Sequence, residues 1–228
     1  MGGESRAQIV LPRLYAILDA EALEQRGLDL VATAIELRDA GATLMQYRHK
    51  LAGGKASTAE VLGEARRLAA SLDGSGCRLI LNDYAELVVA SGFGGLHVGQ
   101  GDLDAHEARE MIGGDRVLGI SAHDEAQMAA AACGPADYVA IGPVFRTNSK
   151  LNAEAVVGLE GVRQARGLTK KPLVAIGGIS LATIASVLDA GADAVAVIGA
   201  LYRPGRSVGE NARALLAAAD LRTPTARL

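Results

Sequence analysis

Short runs of apolar, β-prone residues alternate along this chain with longer stretches of helical periodicity. This alternation limits the fold more than any other feature. Strands are predicted at LYAILD (14–19), TLMQYR (43–48), RLILND (78–83), GLHVGQ (95–100), VLGISAH (117–123), YVAIGP (138–143), LVAIGGI (173–179) and AVAVIGA (194–200). Because strands that are apolar throughout and separated by helices are typical of parallel sheets, we expect a parallel sheet covered by helices.

About eight strand–helix units in 228 residues predict an α/β fold with a single (β/α)8 TIM barrel, at the short end of that fold's range. A doubly wound open sheet is the alternative. No Pro/Ser-rich linker divides the chain, so we expect one domain. Its barrel is predicted at 13–220, with flexible tails at 1–12 and 221–228.

The charge balance bears on partners and location. A formal net charge of -3 at pH 7 gives no reason to expect nucleic acid or an anionic membrane surface as a partner. Neither a signal peptide nor an apolar run of membrane-spanning length is found, and Cys77 and Cys133 form no CxxC pair. We therefore expect a cytoplasmic location and neither a nucleic-acid nor a membrane partner, and a homo-oligomer is compatible with the sequence.

Polar side chains cluster at the predicted strand ends, where TIM barrels carry their chemistry. Gln46, Arg48 and Lys50 are spaced by two, so along one strand they face the same side. A guanidinium can bind a phosphate through two hydrogen bonds, and an ammonium adds a point charge. The alternative is the solvated end of a strand.

Two carboxylates follow neighbouring predicted strands. Asp83 ends the third run and Asp102 follows the fourth, and beside Arg and Lys such a pair can hold Mg²⁺ together with substrate phosphate oxygens. Asn82 adds an amide that can bind a substrate edge. Each aspartate could instead cap a following helix, and the spacing leaves both interpretations open.

Two glycine-containing turns fall in the last two units. Gly177 and Gly178 separate a strand from a helix, and Gly199 repeats the arrangement. Backbone amides at such turns can hold a phosphate, and in TIM barrels this site often lies after strands seven and eight. A tight turn would also select glycine.

The histidines predict neither zinc binding nor acyl transfer. His97 lies inside an apolar strand and is expected to be a hydrogen-bonded interior residue, whereas His49 alternates with the predicted site cations and is expected to point away. His123 ends a strand and could enter the site. Metal-type histidine spacings and Ser/His/Asp motifs are absent from the sequence.

Taken in order, these segments resemble the thiamine phosphate synthase family. The segments that carry the resemblance are QYRHK, LILNDY, LHVGQGD, GISAH, DYVAIGPVFRTNSK, VAIGGI and AVAVIGAL. They span about residues 14–201. Single motifs are modest, but seven in the same order are specific.

The resemblance implies that the chain joins 4-amino-2-methyl-5-hydroxymethylpyrimidine diphosphate to a thiazole ethyl phosphate, with Mg²⁺ as cofactor. The implied pyrimidine diphosphate contacts are Gln46, Arg48, Lys50, Asn82, Ser121 and Lys150. The implied thiazole phosphate contacts are Thr147, Ser149, Gly178, Ile198 and Gly199. Asp83 and Asp102 match the Mg²⁺ ligands, and Arg48, Lys50, Lys150 and Ser121 are expected to act in catalysis.

Departures and rival functions accompany this resemblance. The residues that differ from the family's usual ones are Tyr47, Tyr84, Arg146, Ser149 and Gly199, the last in place of a common Ser. A thiazole tautomerase is the nearest alternative, but it would not need the diphosphate cations and carboxylates. The second alternative is a phosphate-binding barrel that has no catalytic activity and acts as a sensor. A sugar phosphate isomerase is weaker, because no carboxylate base stands out.

Overall fold

The computed structural model describes residues 9–51, 54–55, 57–147 and 155–220. Eight parallel strands within them form a closed barrel. In the order in which they pair, these strands are β1 (Leu14–Asp19), β2 (Leu44–Arg48), β5 (Arg78–Asn82), β6 (Gly95–Val98), β7 (Val117–Ala122), β8 (Tyr138–Ile141), β9 (Leu173–Ile176) and β10 (Ala194–Val197). Since Leu14 of β1 pairs with Val195 of β10, the barrel is closed and the predicted TIM barrel is confirmed over the open sheet.

The helices cover the outside of the barrel. They are α1 (Ala20–Glu24), α2 (Leu30–Asp39), α3 (Thr58–Ser71), α4 (Val88–Ser91), α5 (Ala105–Ile112), α6 (Glu125–Cys133), α7 (Gly158–Leu168), α8 (Ile184–Asp189) and α9 (Val208–Asp220). Two 3₁₀ turns, Ala85–Leu87 and Gly199–Tyr202, lie in the connections. No helix within the described ranges has the length and apolar character needed to cross a membrane.

Side-chain caps define several helix starts. The side chains of Asp29, Ser57, Asp104 and Asp124 each accept a hydrogen bond from a backbone N–H in the first turn of α2, α3, α5 and α6, respectively. These bonds satisfy donors that have no partner within the helix. Short polar residues in the sequence therefore fix where these four helices begin.

Two apolar layers follow from the alternation of side chains along the strands. Tyr15 and Ile17 of β1 point into the barrel, where they join an interior cluster with Leu44 and Ile80. Leu14, Ala16 and Leu18 of the same strand face the helices and belong to the larger outer cluster. Both layers require apolar residues, which is why the strands are nearly continuous apolar runs.

The predicted strand positions are right, and six of the predicted runs extend past the ends of the observed strands. YVAIGP, for example, leaves the sheet after Ile141. A small antiparallel hairpin, β3 (Lys50–Leu51) with β4 (Gly54–Lys55), was not predicted. Residues 1–8 and 221–228 of the predicted tails lie outside the described part of the chain, whereas Leu11 is buried against the interior cluster.

Candidate active site

An open pocket of about 630 Å³, including solvent at its mouth, lies at the carboxyl ends of the barrel strands. One wall is polar and is formed by residues on or after β2, β5, β6 and β7: Gln46, Arg48, Lys50, Asn82, Asp83, His97, Asp102 and Ser121. The facing wall is apolar and includes Ala140, Val174, Ile176, Ala196 and Ile198. A ligand here would meet charge on one side and hydrocarbon on the other.

Most of the predicted site residues meet in this pocket. Those that line it are Gln46, Arg48, Lys50, Asn82, Asp83, Asp102, Ser121 and Ile198. Thr147, Gly178 and Gly199 do not line it, although they follow the neighbouring strands β8, β9 and β10. Ser149 and Lys150 lie outside the described residues. The roles predicted for all these residues stay predictions.

Both described cations of the pocket are paired with carboxylates. The Arg48 guanidinium contacts Asp19, whose other carboxylate oxygen caps α1 by accepting from the N–H of Ala22 at 2.9 Å. The Lys50 ammonium contacts Asp83 and lies 3.6 Å from Asp102 Oδ1. These ion pairs hold the two cations at the pocket wall.

Neither predicted metal ligand caps a helix. The cap of α5 is Asp104, and the cap position of the 3₁₀ turn after β5 is occupied by Tyr84, which makes no side-chain cap hydrogen bond. Asp102 instead accepts from the N–H of Gly99 at 2.9 Å. Asp83 has a left-handed backbone, with φ of 69°, which Asp tolerates better than most residues. The capping alternative is therefore wrong for both side chains.

The two carboxyl groups have different proton affinities. Burial, followed by the hydrogen bond with Asp102, raises the pKa of Asp83 to about 6. Burial also acts to raise the pKa of Asp102, but hydrogen bonds with Asp83 and from Gly99 outweigh it and lower that pKa. Two close carboxylates share one proton readily, because both can be ionised only at a repulsive cost.

This donor set fits a hard divalent cation. Asp83 Oδ2 is buried and has no hydrogen-bond partner within the described residues, although it contacts the Lys50 ammonium. One cation thus already lies between the two carboxylates and offsets part of their negative charge. No group of three or more His, Cys, Asp or Glu side chains that could hold a metal ion is found in the described part of the chain. The pair of carboxylates, Asp83 and Asp102, suits Mg²⁺, because this ion takes one or two protein carboxylates and completes its shell with water and phosphate oxygens.

A chain of hydrogen bonds under the pocket was missed by sequence reasoning. Gln46 Nε2 donates to Tyr15 Oη at 2.9 Å, and Tyr15 Oη lies 3.0 Å from Tyr138 Oη. His97 joins this chain, with Nδ1 2.9 Å from Tyr138 Oη and Nε2 2.9 Å from Ser121 Oγ. All five side chains are buried. The prediction that His97 is a hydrogen-bonded interior residue is confirmed.

One sequence signal could have revealed this chain. Tyr15 and Tyr138 occupy inward positions of barrel strands, and a buried tyrosine hydroxyl usually needs a partner. Gly119 of β7 lies beside Tyr138, because a Cβ on Gly119 would meet the Tyr138 ring at 2.0 Å. The glycine in VLGISAH therefore provides the space for the ring.

The remaining histidines lie away from the pocket. His49 is buried on the helix side of the barrel, as predicted, where its Nδ1 lies 2.8 Å from Tyr47 Oη and 3.0 Å from Glu64 of α3. Tyr47, a departure from the family pattern, is fully buried and also donates to Glu64. His123 does not line the pocket, and its Nδ1 is 2.6 Å from the carbonyl of Gly142.

The glycine pair after β9, Gly177 and Gly178, allows the loop after β8 to pack closely against it. Phe145 donates from its N–H to the carbonyl of Gly177 at 3.0 Å. Gly178 has φ of 64°, and a Cβ there would meet the carbonyl oxygen of Arg146 at 2.5 Å. The loop after β8, which leads to Thr147, therefore lies directly on these glycines. Arg146 is exposed, and it is its backbone carbonyl that lies against Gly178.

Comparison with known proteins gives one consistent result. The family model described as "Thiamine monophosphate synthase" matches residues 14–201. A thiamine-phosphate synthase of Koribacter versatilis is 48% identical over 193 residues, covering 84% of this chain and 89% of that protein. One from Agrobacterium fabrum is 40% identical, covering 84% and 86%, respectively.

A solved structure agrees with these sequence matches. Thiamine phosphate pyrophosphorylase from Pyrococcus furiosus superposes with a TM-score of 0.79 at 28% identity, covering 92% of this chain and 96% of that one. The motifs, the pocket and these matches lead to the same family. The chain belongs to the thiamine monophosphate synthase family.

Proposed function

We propose that this protein is a thiamine phosphate synthase. It would couple 4-amino-2-methyl-5-hydroxymethylpyrimidine diphosphate to a thiazole ethyl phosphate and release pyrophosphate. The observation that carries the proposal is the two-sided pocket, in which Arg48, Lys50, Asp83 and Asp102 share one wall opposite an apolar one. A charged diphosphate and a flat heterocycle together need both surfaces. The names of the family's relatives support the same reaction.

The reaction would be a dissociative substitution. The bond between the pyrimidine methylene carbon and the diphosphate oxygen breaks, and its electron pair leaves with pyrophosphate. The amino group of the pyrimidine ring stabilises the cation left on the methylene carbon. The lone pair of the thiazole nitrogen then forms the new carbon–nitrogen bond. No covalent enzyme intermediate is required, so most of the catalysis is positioning and charge stabilisation.

The polar wall has the groups that this leaving diphosphate needs. Arg48 can bind phosphate oxygens through two hydrogen bonds, and the flexible Lys50 ammonium can approach the diphosphate oxygens as their negative charge develops. Both are now neutralised by Asp19, Asp83 and Asp102, so a bound diphosphate would have to compete for them. Lys150 is proposed as a third cation, and Ser121 as a hydroxyl contact.

Mg²⁺ is proposed as the cofactor, held by Asp83 and Asp102. When bound, it would supply positive charge to the diphosphate oxygens and so favour its departure. Its arrival would also leave the Lys50 ammonium free to contact substrate, because the two carboxylates would gain another counter-ion. The raised pKa of Asp83 fits this exchange, since a carboxyl pair without a metal retains a proton more easily.

The second substrate is proposed to bind beside β8, β9 and β10. Thr147, Ser149, Gly178 and Gly199 would hold the thiazole phosphate with hydroxyl groups and backbone amides. Ile198, which already lines the pocket, would contact the ring. The loop after β8 would then connect both half-sites, with Lys150 reaching toward the diphosphate.

One assay separates this proposal from its alternatives. The protein is incubated with both substrates and Mg²⁺, and pyrophosphate and thiamine phosphate are followed. Product should require both substrates and disappear when EDTA is added. Isomerisation of the thiazole without coupling would support a tautomerase instead, and binding without turnover would support a sensor. A cytoplasmic location, small-molecule partners and a homo-oligomer stay predictions from the sequence.

A further inference from the structure

The hydrogen positions in the chain beneath the pocket follow from the donors present and from burial. Gln46 Nε2 donates to Tyr15 Oη, and Tyr15, although it lines the pocket, is only 1% exposed, so we direct its hydrogen to its buried neighbour, Tyr138 Oη, at 3.0 Å and not to solvent. Tyr138 therefore accepts from Tyr15. Its own hydrogen is directed to Nδ1 of His97 at 2.9 Å. These distances are ordinary for hydrogen bonds.

The same count fixes the state of His97. Because Nδ1 accepts from Tyr138, a neutral ring carries its proton on Nε2, which donates to Ser121 Oγ at 2.9 Å. A proton on Nδ1 would turn the Tyr138 hydrogen back to Tyr15 and leave the hydrogen of the buried Tyr15 without an acceptor in the chain, at a cost that favours the Nε2–H form. Burial raises the pKa of Tyr15 and of Tyr138, so both hydroxyls keep the hydrogens that the count requires.

We propose that this chain has one direction, from Gln46 to Ser121, and that Tyr15 and Tyr138 are positioning residues that make Ser121 a hydrogen-bond donor to the ligand. Ser121 Oγ accepts from His97, so its own hydrogen is available to the pocket. At the other end, the Gln46 amide oxygen is not used by Tyr15 and is available as an acceptor. The buried chain thus sets the hydrogen-bonding pattern of the pocket floor.

The surroundings of Tyr138 hold its hydroxyl oxygen in place between Tyr15 and His97. Its ring occupies the space beside Gly119, is stacked on His97 with ring centroids 5.6 Å apart, and meets Tyr15 edge-on at 6.1 Å. The hydroxyl oxygen cannot leave this position without moving a ring in a close-packed core. Tyr138 does not line the pocket, so its effect on a ligand passes through His97 and Ser121.

The ligand atoms involved rest on the proposed function, whereas the direction of the chain does not. An acceptor at Gln46 suits the amino group of an aminopyrimidine. A donor at Ser121 suits an anionic oxygen of its diphosphate. A pocket with the reverse pattern would offer an acceptor to the diphosphate and would repel it.

The direction is tested by nitrogen NMR of the ligand-free full-length protein labelled with ¹⁵N-histidine. The His97 signals are identified by their loss in His97→Asn. We expect an Nε2–H tautomer in the unsubstituted protein and a mixture of tautomers in Tyr138→Phe. An Nδ1–H tautomer in the unsubstituted protein would show that the chain runs the other way and would overturn the proposal.

The effect on the ligand is tested by calorimetry with the pyrimidine diphosphate. Tyr138→Phe and Tyr15→Phe should each raise Kd about 3- to 10-fold, the loss expected for one hydrogen bond. Tyr202→Phe is the matched control, since the Tyr202 hydroxyl is buried without a hydrogen-bond partner among the described residues, and its Kd should stay within about twofold.

The two arms separate the possible failures. If the unsubstituted protein does not bind the diphosphate, the proposed function fails while the tautomer result still tests the chain. If Tyr138→Phe does not fold, Tyr15→Phe breaks the same chain one step earlier. An unchanged Kd in the folded tyrosine variants, with diphosphate binding intact, would remove both tyrosines from the positioning role.

Discussion

Asp137 and Asp193 occupy equivalent positions at the amino-terminal end of the barrel. Each precedes a strand, and each side chain accepts from a backbone N–H of the preceding strand, that of Leu118 at 2.8 Å or Leu173 at 2.9 Å. Each is also paired with an arginine from a helix, Arg109 in α5 at 2.6 Å and Arg166 in α7 at 2.8 Å. The barrel thus contains the same strand-end contact twice.

We expect Asp193→Asn to lower the free energy of unfolding by about 1–3 kcal/mol, because it breaks a half-buried ion pair and weakens an acceptor for a backbone N–H. Urea unfolding measures this change. Activity of the folded variant at 25 °C should be retained, since the active-site pocket lies at the other end of the strands. Glu160→Gln, in the exposed pair with Arg163, is the control and should change stability by less than about 1 kcal/mol. Equal effects of the two variants would contradict the prediction.

The raised pKa of Asp83 predicts a pH-dependent stability. Its ordinary value of 3.8 applies to the unfolded chain, and the folded value is about 6. The folded state therefore binds more protons in this window. The contribution is full below about pH 4 and is lost as pH rises through about 6.

In metal-free buffer at pH 7.5, Asp83→Asn should therefore be more stable than the unsubstituted protein, by about 1–3 kcal/mol. Asn also tolerates the left-handed backbone at this position. The difference should shrink toward pH 4, as followed by urea unfolding across the pH range. A difference that does not vary with pH would argue against the buried carboxyl as its cause.

Asp102 and Asp104 provide a matched pair for the metal proposal. Asp102→Asn should lower turnover at limiting Mg²⁺ by at least about tenfold, with partial recovery at high Mg²⁺, because one of two proposed carboxylate ligands is lost. Asp104→Asn should leave turnover unchanged, since Asp104 caps α5 and Asn is an equally good cap. Mg²⁺ titration of initial rates measures both. Turnover of Asp102→Asn that is unaffected at low Mg²⁺ would exclude Asp102 as a ligand.

Gly199 offers a gain-of-contact test. A Cβ at this position would meet no atom within 4 Å, so a serine, the residue common in the family, fits without steric cost. Gly199→Ser should lower the KM for the thiazole phosphate about 3- to 10-fold through one added hydroxyl contact, with kcat little changed. Gly199→Ala controls for the loss of glycine and should leave KM unchanged. Equal KM values for both variants would exclude a hydroxyl contact with the phosphate at position 199.

Much of the fold and part of the site could be predicted from the sequence. The positions of the eight strands were right, because a strand buried on both faces must be apolar along its length. Gln46 and Arg48 were correctly placed on one side, because side chains alternate along β2, whereas Lys50 reaches the same pocket from the separate strand β3. Such patterns are local, so they can be recognised without knowing the partners of each residue.

The sequence alone determined the barrel, the family and the strand ends where polar side chains gather. Only the tertiary structure decided that Asp83 and Asp102 face Lys50 instead of capping helices, and that Tyr138 connects Tyr15 to His97. The first result depends on the pairing of β5 with β6, and the second on contacts across the barrel interior between β1, β8 and β6. Barrel closure brings these residues together, and only then can burial and hydrogen bonding set their protonation.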